Sequence, residues 1–379
     1  MKQKTLNIWI ASLVVILVVF LISGCAKRNP IKIGFAGSIT GSSFELGLPA
    51  KNGFLLAVDE INTSGGIDGK LIEVVIKDDE SSLDTAYEIA DAFINEGIEL
   101  VIGHMTSNMS PAVEYAMNKA DILYMSPTMS TALMGDKDDM FLRVVSISDI
   151  EGKSHVRVFK EYHNVNKAAV IYDTQNEQFT NPIYSVFLDG FEAQNGEIVY
   201  FNKLKEGERD YLTIADDVIK SGAEGLFIIT NTIDASSIIQ QINKRDYDMV
   251  ISVTGWSLSN DFLERGGKSI EGVYGTTNHV DGLDTPRYLE FERKYKDRYG
   301  TTPSFSSHLA YDAVIVIAEA IERGGSTNID EVKENIIDIR SYTGLQADFI
   351  INEYGDALRE HVLIQVEGGE YKRVKIEER

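Results

Sequence analysis

Short apolar runs of strand length alternate along this chain with longer segments whose apolar residues recur every three or four positions. Residues 31–36, Ile-Lys-Ile-Gly-Phe-Ala, read as a first strand. Ala50, Gly53, Phe54, Ala57, Val58 and Ile61 then share one helical face, and Ser64-Gly65-Gly66 ends the helix. A second strand spans 71–77, and a helix runs to Asn95. Two further strands, 100–102 and 122–124, flank a helix-like segment. Each runs into a loop of small hydroxyl residues: Thr106, Ser107 and Ser110 after the first, Ser126, Thr128 and Ser130 after the second. A strand-like piece at 141–145 closes this series.

A second series follows. Helices at 150–162, 182–194, 211–221 and 235–244 alternate with strands at 168–172, 197–201, 225–229 and 249–253, and a strand at 272–274 completes it. After Asp281 the pattern is helical again. One stripe carries Tyr288, Phe291 and Tyr295, the next Ala310, Ala313, Val314, Ile317 and Ile321, and both read as core-facing. The end is β-like, at 345–351, 362–366 and 371–374. Alternating strand and helix predicts an α/β fold of doubly wound parallel sheets.

Residues 1–24 change this picture only by leaving it. Lys2 and Lys4 precede an apolar run over 8–22, too short for a typical membrane span. The run ends Ile22-Ser23-Gly24-Cys25, which looks like a bacterial lipobox, with Cys25 lipidated as the mature N-terminus and residues 25–30 as a tether. A diacylglyceryl group supplies two acyl chains, enough for stable anchoring outside the membrane. Cys25 is the chain's only cysteine, so no intramolecular disulfide can form. The formal charge of −22 becomes −24 without the two leader lysines, which argues against nucleic acid and anionic lipid surfaces as partners. The remaining 355 residues exceed a usual single core, so two lobes are expected.

Chemistry enters through the paired hydroxyl loops. In an open parallel sheet, ligands bind outside the carboxyl ends of the strands. Hydroxyls and free N–H groups at the following helix starts make an anion site without a charged residue; capping alone is the other role open to them. The cluster Asp78-Asp79-Glu80 reads as a strand end and helix cap rather than a metal site, since nothing nearby supplies more ligands. The six histidines (His104, His155, His163, His279, His308, His361) share no metal spacing, and no G-x-S-x-G elbow occurs. The glycines after the first strand do not form a dinucleotide fingerprint. No catalytic residue, metal or cofactor is expected.

Several segments then carry a resemblance: residues 31–35 with Thr40-Gly41, residues 57–69 (Ala-Val-Asp-Glu-Ile-Asn-Thr-Ser-Gly-Gly-Ile-Asp-Gly), Val101-Ile-Gly-His, Ser126-Pro127, Ala310-Tyr-Asp-Ala313, and Gly344 followed by Asn352-Glu-Tyr-Gly-Asp356. From about 31 to 367 the chain resembles a type I periplasmic solute-binding protein of ABC importers, in the branch for branched-chain amino acids and amides. The resemblance implies two doubly wound lobes joined by three crossings near Ser148, 278–281 and Gly344. Lobe 1 would be 31–147 with 280–343, and lobe 2 would be 148–279 with 344–379. The ligand would sit between them. Its carboxylate would match Ser107, Thr128 and Ser130, the residues chosen above on other grounds. Leu46 falls where the first βα loop covers the ligand, Phe179 is the nearest aromatic of lobe 2 although the loop 175–181 looks long, and Thr232 and Trp256 fall on later loops.

One departure concerns charge. Amino-acid binders of this family place an acid at the turn matching Thr254-Gly255-Trp256, where this chain has none. Asp234, readable also as the N-cap of helix 235–244, stands nearby. The partner then expected is an amino acid, an amide or an aromatic carboxylate stacked on Trp256, passed to permease subunits. A sensing module signalling through a partner receptor, since no kinase or second membrane segment follows, and an extracellular enzyme are the alternatives.

Overall fold

A computed structural model describes residues 29–205, 207–277 and 285–374. Cys25, the leader segment and the expected crossing at 278–281 lie outside these residues.

The first half runs β1 (Ile31–Gly37), α1 (Phe44–Thr63), β2 (Ile72–Asp78), α2 (Leu83–Glu96), β3 (Leu100–Ile102), α3 (Ser110–Ala120), β4 (Leu123–Ser126) and β5 (Phe141–Arg143). Its five strands are parallel in the order β2-β1-β3-β4-β5. β3 and β4 are buried along their whole length, because helices cover both faces of such a sheet.

The second half runs α4 (Ile150–Arg157), β6 (Lys167–Asp173), α5 (Glu177–Glu192), β7 (Glu197–Leu204), α6 (Tyr211–Lys220), β8 (Gly225–Ile229), α7 (Thr232–Asn243), β9 (Val250–Val253), α8 (Asn260–Gly266) and β10 (Tyr274–Thr277). Three helices follow, α9 (Pro286–Tyr299), α10 (Phe305–Gly324) and α11 (Ile329–Ile339). Then come β11 (Ser341–Thr343), β12 (Asp348–Ile351), β13 (Ala357–Leu358), β14 (Val362–Glu367) and β15 (Glu370–Arg373). β14 joins the second sheet antiparallel to β10, giving the order β15-β14-β10-β9-β8-β6-β7.

α10 returns to the first half and lies on α1 at Gly53. A Cβ at Gly53 would stand 1.9 Å from the Ser307 carbonyl oxygen, so the two helices touch backbone to backbone there. β11–β13 form a small antiparallel sheet of their own. It also belongs with the first half. The Arg143 N–H donates to Gly355 O at 3.0 Å, Arg143 Nε donates to Asp356 Oδ1 at 2.7 Å, and the Leu345 N–H donates to Asp312 Oδ1 at 2.9 Å. Residues 344–358, expected in lobe 2, therefore pack against the first half, and the chain enters the second sheet at β14. The buried Arg143–Asp356 pair is what holds them, a contact between positions too far apart in sequence for the apolar pattern to reveal.

The expected long loop 175–181 is also absent. α5 begins at Glu177, a turn and a half before Pro182. Asn176 O accepts from the N–H groups of Phe179 and Thr180 (2.9 and 3.0 Å), and the Thr180 hydroxyl donates to Asp173 O at 2.8 Å. The first turn of α5 is thus tied to the end of β6, and Phe179 is held on it.

Candidate functional site

The carboxyl ends of both sheets converge on one pocket of about 50 Å3. From the first half come Met105 after β3, and Thr128 and Ser130 after β4. From the second come Asn176 and Phe179 after β6, Trp256 after β9 and Thr277 at the end of β10. Leu46 of α1 and Phe305 of α10 close one side, and both continue with Trp256 into a wider chamber of about 560 Å3.

Each hydroxyl loop is shaped by its own side chains. Ser126 Oγ donates to His104 O at 2.8 Å and accepts from the Met129 N–H at 3.0 Å, so it braces β4 against the loop after β3. Thr128 Oγ1 donates to Met105 O at 2.6 Å. The carbonyl of Ser130 accepts from both the N–H (3.1 Å) and the hydroxyl (3.2 Å) of Ser148, which fixes the loop against the first crossing. Opposite them, Phe179 and Trp256 meet edge to face, with ring centroids 5.6 Å apart.

Five of the eight residues chosen from the sequence meet at this pocket: Leu46, Thr128, Ser130, Phe179 and Trp256. Ser107 is buried in the turn before α3 and is not part of the wall. Thr232 borders the wider chamber, where its hydroxyl donates to Ser257 O at 3.0 Å. Asp234 is committed elsewhere. Its carboxylate accepts from Arg209 Nε at 2.9 and 3.2 Å, from the Tyr211 hydroxyl at 2.5 Å and from Asn231 Nδ2 at 3.0 Å. Nor does it cap α7: that role belongs to Asn231, whose Oδ1 accepts from the Asp234 N–H at 2.9 Å. Arg209 lies 25 residues earlier in the chain, so helix spacing alone pointed to the wrong cap and left the ion pair unseen.

The acidic cluster after β2 braces loops. Burial pushes the Asp78 carboxyl up, but hydrogen bonds from the Thr40 hydroxyl (2.7 Å) and from the N–H groups of Glu80 (3.0 Å), Thr40 (3.2 Å) and Ile39 (2.9 Å) outweigh it and hold the group below its ordinary value. Asp79 accepts from the Ser38 hydroxyl and pairs with His104 Nδ1, each at 2.7 Å.

Sequence reasoning missed Glu151, Asn176, Ser148 and Phe305. Glu151, on the first turn of α4, looks in sequence like an ordinary helix-start acid. It is 6% exposed and lines the pocket, and burial pushes its carboxyl up to about 7. Hydrogen bonds from the Gly255 N–H and the Thr276 hydroxyl, both 2.9 Å, oppose that rise. Glu45, beside Leu46, faces the wider chamber. Burial raises its carboxyl to about 7, with Asp234 and Asp261 adding repulsion and Arg265 opposing.

The halves also touch beyond the pocket. Asn108, in the turn before α3, donates from Nδ2 to Gln175 O at 2.6 Å and accepts at Oδ1 from the Gln178 N–H at 2.9 Å. Its own N–H donates to Asn176 Oδ1 at 3.2 Å. Ser110 Oγ donates to Gln178 Oε1 at 2.5 Å.

Two sheets of this topology, a pocket across their carboxyl ends and a clasp beside it define a two-lobed solute-binding architecture. Residues 30–370 match the family model described as periplasmic binding protein, and the chain belongs to that family, whose members capture solutes and are not enzymes. It is 23% identical over 307 residues to the leucine-, isoleucine-, valine-, threonine- and alanine-binding protein of Pseudomonas aeruginosa, covering 81% of this chain and 82% of that one. It is 24% identical over 259 residues to the Leu/Ile/Val-binding protein of Escherichia coli K12, covering 67% and 69%. Its fold matches two solved structures. One is a branched-chain amino acid transporter substrate-binding protein of Streptococcus pneumoniae in complex with isoleucine (TM-score 0.81, 23% identity, 91% and 100% covered). The other is a solute-binding protein of Rhodopseudomonas palustris BisB5 in complex with 3,4-dihydroxybenzoic acid (TM-score 0.82, 18% identity, 92% and 97% covered).

Proposed function

We propose that this chain is a lipid-anchored extracytoplasmic receptor of an ABC importer, which closes on a small carboxylate-bearing solute and delivers it to permease subunits. The pocket between the two sheets carries this reading. It offers hydroxyls on one side, aromatic rings and an acid on the other, and little room. At about 50 Å3 it holds a compact polar head, comparable to a few waters, while the body of the solute extends along Leu46, Trp256 and Phe305 into the wider chamber. Relatives named for aliphatic amino acids and a structural neighbour bound to an aromatic acid bracket the solute class. Cys25, placed after an apolar leader, supplies the anchor.

A thermal-shift panel of amino acids, amides and aromatic carboxylates tests capture, with a rise in Tm expected for a few related members. A flat panel would sink the reading. Labelling with an alkyne fatty acid tests the anchor: loss of label and release from membranes in Cys25→Ser are expected, and an unlabelled native chain would remove that part.

A further inference from the structure

Glu151 is the one ionisable side chain in the pocket wall among the described residues. Both hydrogen bonds to its carboxylate fall on Oε2, from the Gly255 N–H and the Thr276 hydroxyl, and Oε1 accepts neither. Behind it runs a buried chain of exchangeable groups. Thr276 Oγ1 is 3.1 Å from His155 Nε2, and His155 Nδ1 is 2.6 Å from Ser252 Oγ. The imidazole is fully buried against Phe227, 4.3 Å between ring centroids, and burial lowers it to about 3, so it stays neutral and holds one N–H.

A neutral imidazole between two hydroxyls has two wirings. With Glu151 ionised, the Thr276 hydroxyl donates to Glu151, His155 Nε2–H donates to Thr276 Oγ1, and Ser252 donates to Nδ1. With Glu151 protonated at Oε2 and donating to Thr276, Thr276 donates to Nε2 and Nδ1–H donates to Ser252. The groups that face Glu151 are uncharged: Thr276 and Thr277 from β10, Trp256 from the turn after β9, Asn176 before α5, and Ser148 from the crossing. Its own helix adds neutral His155, and no neighbouring charge contributes to its shift.

Building on the solute-capture reading, we propose that Glu151 reads the positive charge of the ligand: Oε1 takes the ammonium of an α-amino acid, and the Thr276–His155–Ser252 relay holds the carboxylate ionised, so capture expels the Glu151 proton to solvent. This places the cation subsite on α4, away from the turn 254–256 and from Asp234. A carboxylate without an ammonium meets the protonated acid and takes up a proton instead.

Calorimetry with L-leucine and with benzoate, from pH 6 to 8 in buffers of different ionisation enthalpy, tests the proposal. Leucine is expected to release about one proton at pH 6 and almost none at pH 8, with affinity rising about tenfold across the interval, while benzoate weakens. Glu151→Gln is expected to abolish the leucine pH dependence and its preference over benzoate. Leucine binding unchanged in Glu151→Gln, or benzoate preferred at pH 8, overturns the proposal. Nitrogen NMR of His155 reads the relay without ligand: an N–H moving from Nδ1 to Nε2 between pH 6 and 8, lost in Glu151→Gln and in Thr276→Val, supports it, and a fixed tautomer overturns it. A working tautomer switch in a protein that no panel member stabilises would refute capture alone.

Discussion

Thr128 and Ser130 present different atoms to the pocket. The Thr128 proton is engaged by Met105 O, whereas the Ser130 loop is held through its carbonyl, which leaves the hydroxyl to the pocket. Ser130→Ala is therefore expected to weaken a carboxylate ligand by about 1.5–3 kcal/mol, roughly tenfold or more in Kd by calorimetry, and Thr128→Val by less. Asp234 behaves oppositely. Asp234→Ala strips the Arg209 Nε–H and the Tyr211 hydroxyl of their acceptor, so it should lower stability by about 1–3 kcal/mol in denaturant titration while ligand affinity holds. Glu151 sets a pH dependence. Its folded-state value lies above the unfolded one, so the folded chain keeps a proton that the unfolded chain loses, and stability should fall as pH rises from about 4.5 to 7. Glu151→Gln is expected to remove up to about 3 kcal/mol of that decline, read as Tm against pH. At this scale Thr128 and Ser130 were legible as pocket hydroxyls because strand, hydroxyl loop and helix recur in order, whereas Ser107, chosen by the same recurrence, lies outside the wall. Glu151 was not, since a helix-start acid reads the same whether it meets water or a cleft.

Elements meet where small or bridging residues let them. Gly53 lets α1 lie on α10, and Gly53→Ala would drive a methyl into the Ser307 carbonyl. Such overpacking costs about 1–3 kcal/mol, and the expected loss is measured by thermal unfolding. The turn before α3 and the start of α5 are joined by Asn108 through three hydrogen bonds. Asn108→Ala should favour separated lobes, with a larger radius of gyration in solution scattering without ligand and weaker ligand binding, since closure then recovers fewer contacts. The periodicity behind α1 and α10 was plain in the sequence. The start of α5 was misjudged because Pro182 suggests a first helical position, whereas hydrogen bonds to Asn176 and Asp173 begin the helix five residues earlier.

For the whole molecule, a ligand held between two lobes stabilises the closed form by mass action. At a hundredfold excess over Kd the gain is about 2.7 kcal/mol, a Tm rise of several degrees in scanning calorimetry. The passage of the chain between lobes belongs to this scale too. Arg359 Nε donates to Val144 O at 2.6 Å and its guanidinium pairs with Asp312 at 2.9 Å, so the segment that leads into β14 lies beside the one that leaves β5. Alternation of strand and helix and the hydroxyl loops could be read from the chain alone, because periodicity and capping act over a few neighbouring residues. The assignment of β11–β13 to the first lobe, the commitment of Asp234 to Arg209, and the arrival of Glu151 in the pocket were decided only by the tertiary structure. Each depends on a charged or polar group meeting a partner 25 to 213 residues away, at a burial that the local sequence does not encode.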